Sequence, residues 1–137
     1  MFSHITVGVS DLDRTERFYD ALLTPLGLTR RQVIPDGGPP SRCWHHPAAG
    51  FPRFFVYLPF DGQPGSAGNG SMTAFLAPTP EAVEHAHAQG LAHGGTDAGA
   101  PGPRHHYAPD YFGAYLRDPD GNKIHIVHRS GVPDGRP

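Results

Sequence analysis

Cysteine occurs once in these 137 residues, at Cys43, so no disulfide can form within the chain. No apolar run approaches the roughly 18 residues that a membrane span needs. No block of Lys or Arg is present. The 11 basic residues stand against 13 acidic ones, which leaves no electrostatic case for nucleic acid. There is no Gly-rich loop ending in Lys-Ser/Thr, no strand followed by Gly-x-Gly-x-x-Gly and no Gly-x-Ser-x-Gly elbow. The opening residues, Met1 to Val7, alternate like a strand and lack the basic start and apolar core of an export signal. The expectation is a chain that works in the reducing cytoplasm, with Cys43 as a small buried apolar residue.

Glycine and proline are abundant, at 18 and 16 residues. They cluster in Asp36 to Ser41, Pro59 to Gly70 and Gly94 to Pro109, and the sequence between the clusters is patterned. This predicts a folded domain with long, stiff loops rather than a disordered chain. Histidine is also abundant, at ten residues. The adjacent pairs His45-His46 and His105-His106 point opposite ways in extended chain, and His85 and His87 lie far apart around a helix. These six are expected mainly at the surface.

A repeat organises the rest. His4 to Val9 reads as a strand, with Ile5, Val7 and Val9 on one side and His4, Thr6 and Gly8 on the other. Ser10-Asp11-Leu12-Asp13 then caps a helix that runs to about Leu23, with Leu12, Thr15, Phe18, Tyr19 and Leu22 as its buried stripe. Met72 to Ala77 reads as a second such strand. Thr79 caps a second helix with Pro80 in its first turn, Ala82, Val83, Ala86 and Leu91 as its apolar side, and Gly94-Gly95 as its stop. A shift of 68 residues lays His4 on Met72 and Gly27 on Gly95. Further strands are expected at 28–34, 42–46 and 53–58 in the first half, and at 96–98, 111–117 and 123–129 in the second. The last two are joined by the tight-turn sequence Asp118-Pro119-Asp120-Gly121-Asn122. The fold class is therefore α+β: two βαβββ modules forming a curled mixed sheet around a pocket. Module one covers about 1–60 and module two about 71–130 of a single domain, and 131–137 is a flexible tail.

The opening stretch from His4 to Asp20, followed by Leu26-Gly27-Leu28, resembles the first module of the glyoxalase, bleomycin-resistance and extradiol-dioxygenase superfamily. The closing Tyr115-Leu116-Arg117-Asp118-Pro119-Asp120-Gly121-Asn122-Lys123-Ile124-His125-Ile126 is similar to that family's final hairpin. The resemblance implies a homodimer and a small-molecule pocket, with a divalent metal held at its floor. The family's ligands are a His on the first strand, a carboxylate on the last strand of module one, a His or Gln opening module two, and a Glu on the final strand. His4 matches the first. Met72 stands for the third and His125 for the fourth. The second falls on Tyr57 by the repeat offset or on Phe55 by parity.

That set keeps one family ligand, so the site is non-standard. His4 and His125 are the candidate metal ligands, for a transition metal such as Zn, Ni or Fe. His4, His125 and Tyr57 are the candidate catalytic residues. Phe55, Met72, Tyr115 and Arg117 are candidate substrate contacts on strands. Arg104, His105 and Tyr107 are candidates on a loop expected to lie over the pocket mouth. Arg117 could clamp a carboxylate or phosphate. The function expected is a small-molecule enzyme of the lyase, isomerase or dioxygenase type, and the alternative is a metal-free drug- or metabolite-binding protein. Neither nucleic acid nor membrane is an expected partner.

Overall fold

Alternating opening residues become strand β1 (His4–Gly8) in the computed structural model, which describes residues 1–131. The tail expected at 131–137 thus lies, beyond Gly131, outside the described residues. Helix α1 (Leu12–Leu23) starts where Asp11 accepts a hydrogen bond from the Arg14 backbone N–H at 3.0 Å. It passes at Leu23 into a 3-10 turn, Thr24–Leu26, which is closed by Gly27 with a left-handed φ of 86°. Strands β2 (Thr29–Arg31), β3 (Ser41–His45) and β4 (Arg53–Tyr57) complete the first module. The second repeats it with β5 (Met72–Leu76), α2 (Pro80–Ala92), β6 (Thr96–Pro103), β7 (Phe112–Arg117) and β8 (Lys123–His128).

Each module forms one four-stranded mixed sheet, in the orders β1-β4-β3-β2 and β5-β8-β7-β6. The first and last strands of each module run parallel and the other neighbours antiparallel. α1 buries Thr15, Phe18, Tyr19, Leu22 and Leu23, and α2 buries Val83, Ala86, His87 and Gly90. These faces meet the inner sides of both sheets in one core, where Trp44, Phe54 and Val56 join Phe75, Leu116, Ile124 and Ile126. Phe54 and Phe75 cross the module boundary edge to face, with centroids 5.1 Å apart. Each such buried side chain contributes roughly 1.5–3 kcal/mol to burial.

The closing turn fastens the modules together. Asp118 is buried, and its carboxylate accepts from the Tyr19 hydroxyl at 2.7 Å, the Asn122 amide at 2.9 Å and the backbone N–H groups of Asp120 and Asn122. Burial pushes the Asp118 carboxyl above the usual range in spite of these four donors. Asn122 also donates to the Gly8 carbonyl, and Asp120 accepts from the Ser10 backbone N–H. The turn is thus a bolt between β1, α1 and the final hairpin.

Three expectations need adjustment. β2 spans three residues rather than the seven of 28–34. β6 runs to Pro103 rather than ending near Ala98, so the following loop begins later. Two prolines are tolerated there because β6 is an edge strand, and register shifts around Gly99 and Gly102 absorb the irregularity. On α2, Leu91 is exposed, while His87 and Gly90 fall on the buried face set by Val83 and Ala86. His87, expected at the surface, is buried against β6 with its Nε2 3.0 Å from an Asp97 carboxylate oxygen. Gly90 lets the helix pack closely: a Cβ there would stand 2.5 Å from Leu116 Cδ1, which would have to shift to admit it.

Because the helices fill the space between the sheets, the second face of each sheet turns outward. On sheet one that face carries His4, Thr6, Arg53, Phe55 and Tyr57; on sheet two it carries Met72, Ala74, Tyr115, Lys123 and His125. Among the described residues, β1 and β5 end their sheets with one edge unpaired.

Candidate functional site

Most of the chemistry-bearing groups gather on the outward face of sheet two. His125, on β8, is only 2% exposed. Its Nδ1 lies 2.9 Å from the Ala114 carbonyl, and its Nε2 lies 2.6 Å from the Tyr111 hydroxyl. A carbonyl only accepts, so Nδ1 carries the proton and Nε2 accepts from Tyr111. The ring stacks on Tyr115 with centroids 4.1 Å apart and planes within 13°. Gly113, the β7 residue beneath it, makes this possible, since a Cβ there would stand 2.6 Å from His125 Cε1. Burial lowers the His125 pKa below its ordinary value, and the charges of Arg104 and Lys123 push the same way. His125 is therefore a neutral imidazole with a fixed tautomer. Burial also raises the phenols of Tyr111 and Tyr115, so both keep their protons.

Cations surround this aromatic stack. The Lys123 ammonium lies 5.1 Å from the Tyr115 ring centroid, the Arg104 guanidinium 6.0 Å from the same ring, and the Arg129 guanidinium 5.2 Å from Tyr111. Arg104 is held by the Ala100 carbonyl at 2.9 Å. Tyr107 is exposed and leans on Tyr111, with centroids 5.0 Å apart. His105 turns back on its own loop, with Nδ1 2.9 Å from the Pro109 carbonyl.

Sheet one presents a second group. His4 is exposed, with Nδ1 3.0 Å from the Ser3 hydroxyl, and meets Phe55 edge to face at 5.6 Å. Phe55 in turn neighbours Tyr57 at 5.7 Å. No hydrogen bond or ring contact joins His4 to His125 within the chain; they stand on separate sheets. Met72 is 46% exposed at the free edge of sheet two.

The strand register decides between Tyr57 and Phe55 as the counterpart of His125. Thr6 pairs with Phe55, and its repeat partner Ala74 pairs with His125. Phe55 therefore occupies the equivalent place, and Tyr57 matches Val127. The simple 68-residue offset misleads here because module two carries two more residues between its first and last strands, as the pairs His4–Arg53 and Met72–Lys123 show.

Residues absent from the candidate set complete the floor. Tyr111 shares the parity of Tyr115 and Arg117, and Lys123 shares that of His125, so strand alternation pointed to both. The two-sided clasp on His125 has no local sequence signal, because the Ala114 carbonyl that accepts from Nδ1 belongs to the backbone.

A helix-linked pair of open βαβββ sheets, each with a polar and aromatic outer face, defines the class of protein. The description "Glyoxalase/Bleomycin resistance protein/Dioxygenase superfamily" matches residues 1–126, and the chain belongs to that superfamily. It is similar to a glyoxalase/bleomycin resistance protein from Albidiferax ferrireducens T118, with 43% identity over 94% of this chain and 98% of that one, at a TM-score of 0.77. A glyoxalase-related enzyme from Fulvimarina pelagi shares the fold at 22% identity and a TM-score of 0.71, covering 98% of this chain and 94% of its own. The fosfomycin resistance protein FosX from Listeria monocytogenes shares it at 18% identity and 0.66, covering 96% and 94%. No curated protein matches significantly.

Superfamily members commonly use divalent metals. Here the four positions that would supply ligands hold His4, Phe55, Met72 and His125. Phenylalanine donates nothing, a thioether is a weak and soft donor, and both nitrogens of His125 are already engaged. Among the described residues no group of three or more His, Cys, Asp or Glu stands where it could hold an ion. The residues present do not fit the metal, and no chemical step is derived through one.

Proposed function

We propose that this chain is a small-molecule-binding protein whose ligand lies over the Tyr111–His125–Tyr115 cluster, in a cup completed by a second copy, without a bound metal. The observation that carries this reading is the outward turn of both pocket faces. Within one chain the helices bury one face of each sheet, and the faces holding His4, Phe55 and Tyr57 and holding Tyr115 and His125 stay apart. Two such faces from different copies would enclose a ligand, and the free edges of β1 and β5 would meet in the process. A small molecule there would find aromatic walls from Phe55, Tyr57, Tyr107 and Tyr115. Arg104 and Arg117 would supply donors from module two, with the exposed imidazole of His4 opposite. The test combines mass in solution with ligand-dependent stabilisation. A dimer is expected, with a melting temperature raised by a small-molecule hit in the native protein and not in Tyr115→Ala. A monomer at micromolar concentration would sink the shared cup.

A second reading, proton transfer in a lyase or isomerase, is favoured by one contact, the 2.6 Å approach of the Tyr111 hydroxyl to His125 Nε2. A ligand acid that displaced Tyr111 would meet a neutral, oriented base. His125→Asn would then retain ligand but lose exchange of ligand C–H protons with solvent deuterium. A native protein that binds ligand and shows no such exchange would leave binding as the function.

A further inference from the structure

A cavity of about 550 Å³ lies where the inter-module linker, residues 67–71, passes the end of sheet two. Arg117 and Lys123 line it from β7 and β8, and Asn69, Ser71 and Met72 line it from the linker side. Arg117 and Lys123 are directly paired across the hairpin, so both side chains share one face. That face is the one carrying Tyr115 and His125. Linker and hairpin are in contact, since a Cβ on Gly121 would sit 3.8 Å from that of Ala67.

The charge in this cavity is of one sign. The hairpin between the two cations contains Asp118 and Asp120, yet neither neutralises them. Asp118 is spent on Tyr19 and Asn122, and Asp120 faces Ser10 and Arg14 on the opposite side. Among the described residues neither Arg117 nor Lys123 meets a carboxylate within 4.0 Å. Arg117 uses one N–H on the Gly121 carbonyl at 2.9 Å, which orients the guanidinium, and among the described residues no acceptor takes its other N–H groups. The Lys123 ammonium lies over the Tyr115 ring.

The linker adds neutral donors. Gly68 has φ of 72° and Gly70 of 96°, with Asn69 between them on the negative side. Successive amides with alternating backbone hand turn their N–H groups into one concavity that suits an anion. Among the described residues no acceptor takes the backbone N–H of Gly68, Asn69 or Gly70. The hydroxyl of Ser71 and the amide of Asn69 stand beside them.

We infer that this cavity is an oxyanion subsite, built from Arg117, Lys123 and the 68–71 linker, that takes a doubly charged phosphoryl-type group on a small molecule. Two cations balance a dianion, and the guanidinium fork and linker amides match its oxygens. The inference deepens the proposed function: with the anion seated here, the rest of the molecule extends along the same face toward Tyr115 and His125. All lining residues belong to one chain, so the subsite does not depend on the shared cup.

Inorganic phosphate is the probe, titrated at constant ionic strength against chloride and acetate and followed by amide NMR. The expected result is saturable shifts at Gly68, Asn69, Gly70 and Ser71 with phosphate and not with chloride, and a weaker response to acetate. Lys123→Gln and Arg117→Gln should each weaken phosphate binding roughly tenfold or more, and the double variant should abolish it. The Lys123 side chain makes no hydrogen bond among the described residues, so Lys123→Gln remains informative if loss of the Arg117–Gly121 contact disturbs the hairpin. Equal shifts with chloride and phosphate, or unchanged affinity in Lys123→Gln, would overturn the subsite. A monomer that binds phosphate would refute the shared cup and keep the subsite, and a dimer indifferent to phosphate would do the reverse.

Discussion

His125 should titrate below the ordinary imidazole value of about 6.5, and the fold should lose stability as it is forced to charge. The perturbation is acidification from neutral pH. Above the unfolded-state value the residue is neutral in both states and contributes no pH dependence. Below it the unfolded chain binds a proton that the folded chain refuses, because the ring is buried and Arg104 and Lys123 lie nearby. Stability therefore falls as pH drops from about 6.5 toward the lowered folded value, with a slope of up to about 1.4 kcal/mol per pH unit for one proton. The relevant quantity is a difference from a variant without this imidazole, in which contributions from the rest of the chain cancel. Urea denaturation across the range, for the native chain and for His125→Asn, isolates the term. The native curve should steepen relative to the variant below neutrality. Imidazole NMR gives a direct check: His125 should appear as the Nδ1-protonated tautomer, as the Ala114 carbonyl requires. A His125 that titrates at or above the ordinary value, or that populates the Nε2-protonated form, would refute the clasp geometry.

Other outcomes follow from the same contacts. Tyr19→Phe removes the hydroxyl that donates to the buried Asp118 carboxylate and should cost about 1.5–3 kcal/mol, read as a melting temperature lower by roughly 5–10 °C; a double-mutant cycle with Asp118→Ala should show that most of this is coupling. Gly113→Ala drives a methyl against His125 and should cost about 1–3 kcal/mol while shifting the Tyr111 and Tyr115 ring resonances; a neutral effect would mean that the ring has room to move. Metal analysis of protein purified without a His-tag should find transition metal far below one per chain, and His4→Ala should leave that content unchanged. Near-stoichiometric metal lost in His4→Ala would overturn the metal-free reading.

Legibility in the sequence followed the physics of each feature. The strand, capped helix and glycine stop recur because each depends on neighbouring residues: Asp11 and Thr79 cap, Gly27 closes, and apolar spacing selects the buried face. The register of β4 against β1 and of β8 against β5 depends on loops of different length. A fixed offset therefore chose Tyr57 where hydrogen bonding chose Phe55. The part of β6 beyond Ala98 was hidden for a related reason. Its Gly and Pro residues read as loop, yet an edge strand needs only one side of its backbone paired, and β7 supplies that side. His87 and Asp97 were invisible as a pair because their meeting requires α2 to lie on β6.

The altered floor is best understood through what the replacements do to charge. A metal centre with carboxylate ligands concentrates positive charge on the ion and balances it with acids. Here the equivalent places hold Phe55, Met72 and a neutral His125, so neither the ion nor its balancing acids has a seat. The positive charge on this face is instead distributed among Arg104, Arg117 and Lys123, which rim the aromatic stack. Such a face attracts an anionic molecule by its edge and holds the body of that molecule by ring contact. Burial is the main reason His125 stays uncharged, and two of these cations, Arg104 and Lys123, oppose protonation of the imidazole further. Lys123 thus links recruitment to the neutrality of the hydrogen-bond acceptor at the floor. Removing Lys123 should weaken anion binding and raise the His125 titration point together, and only a coupled site would move both.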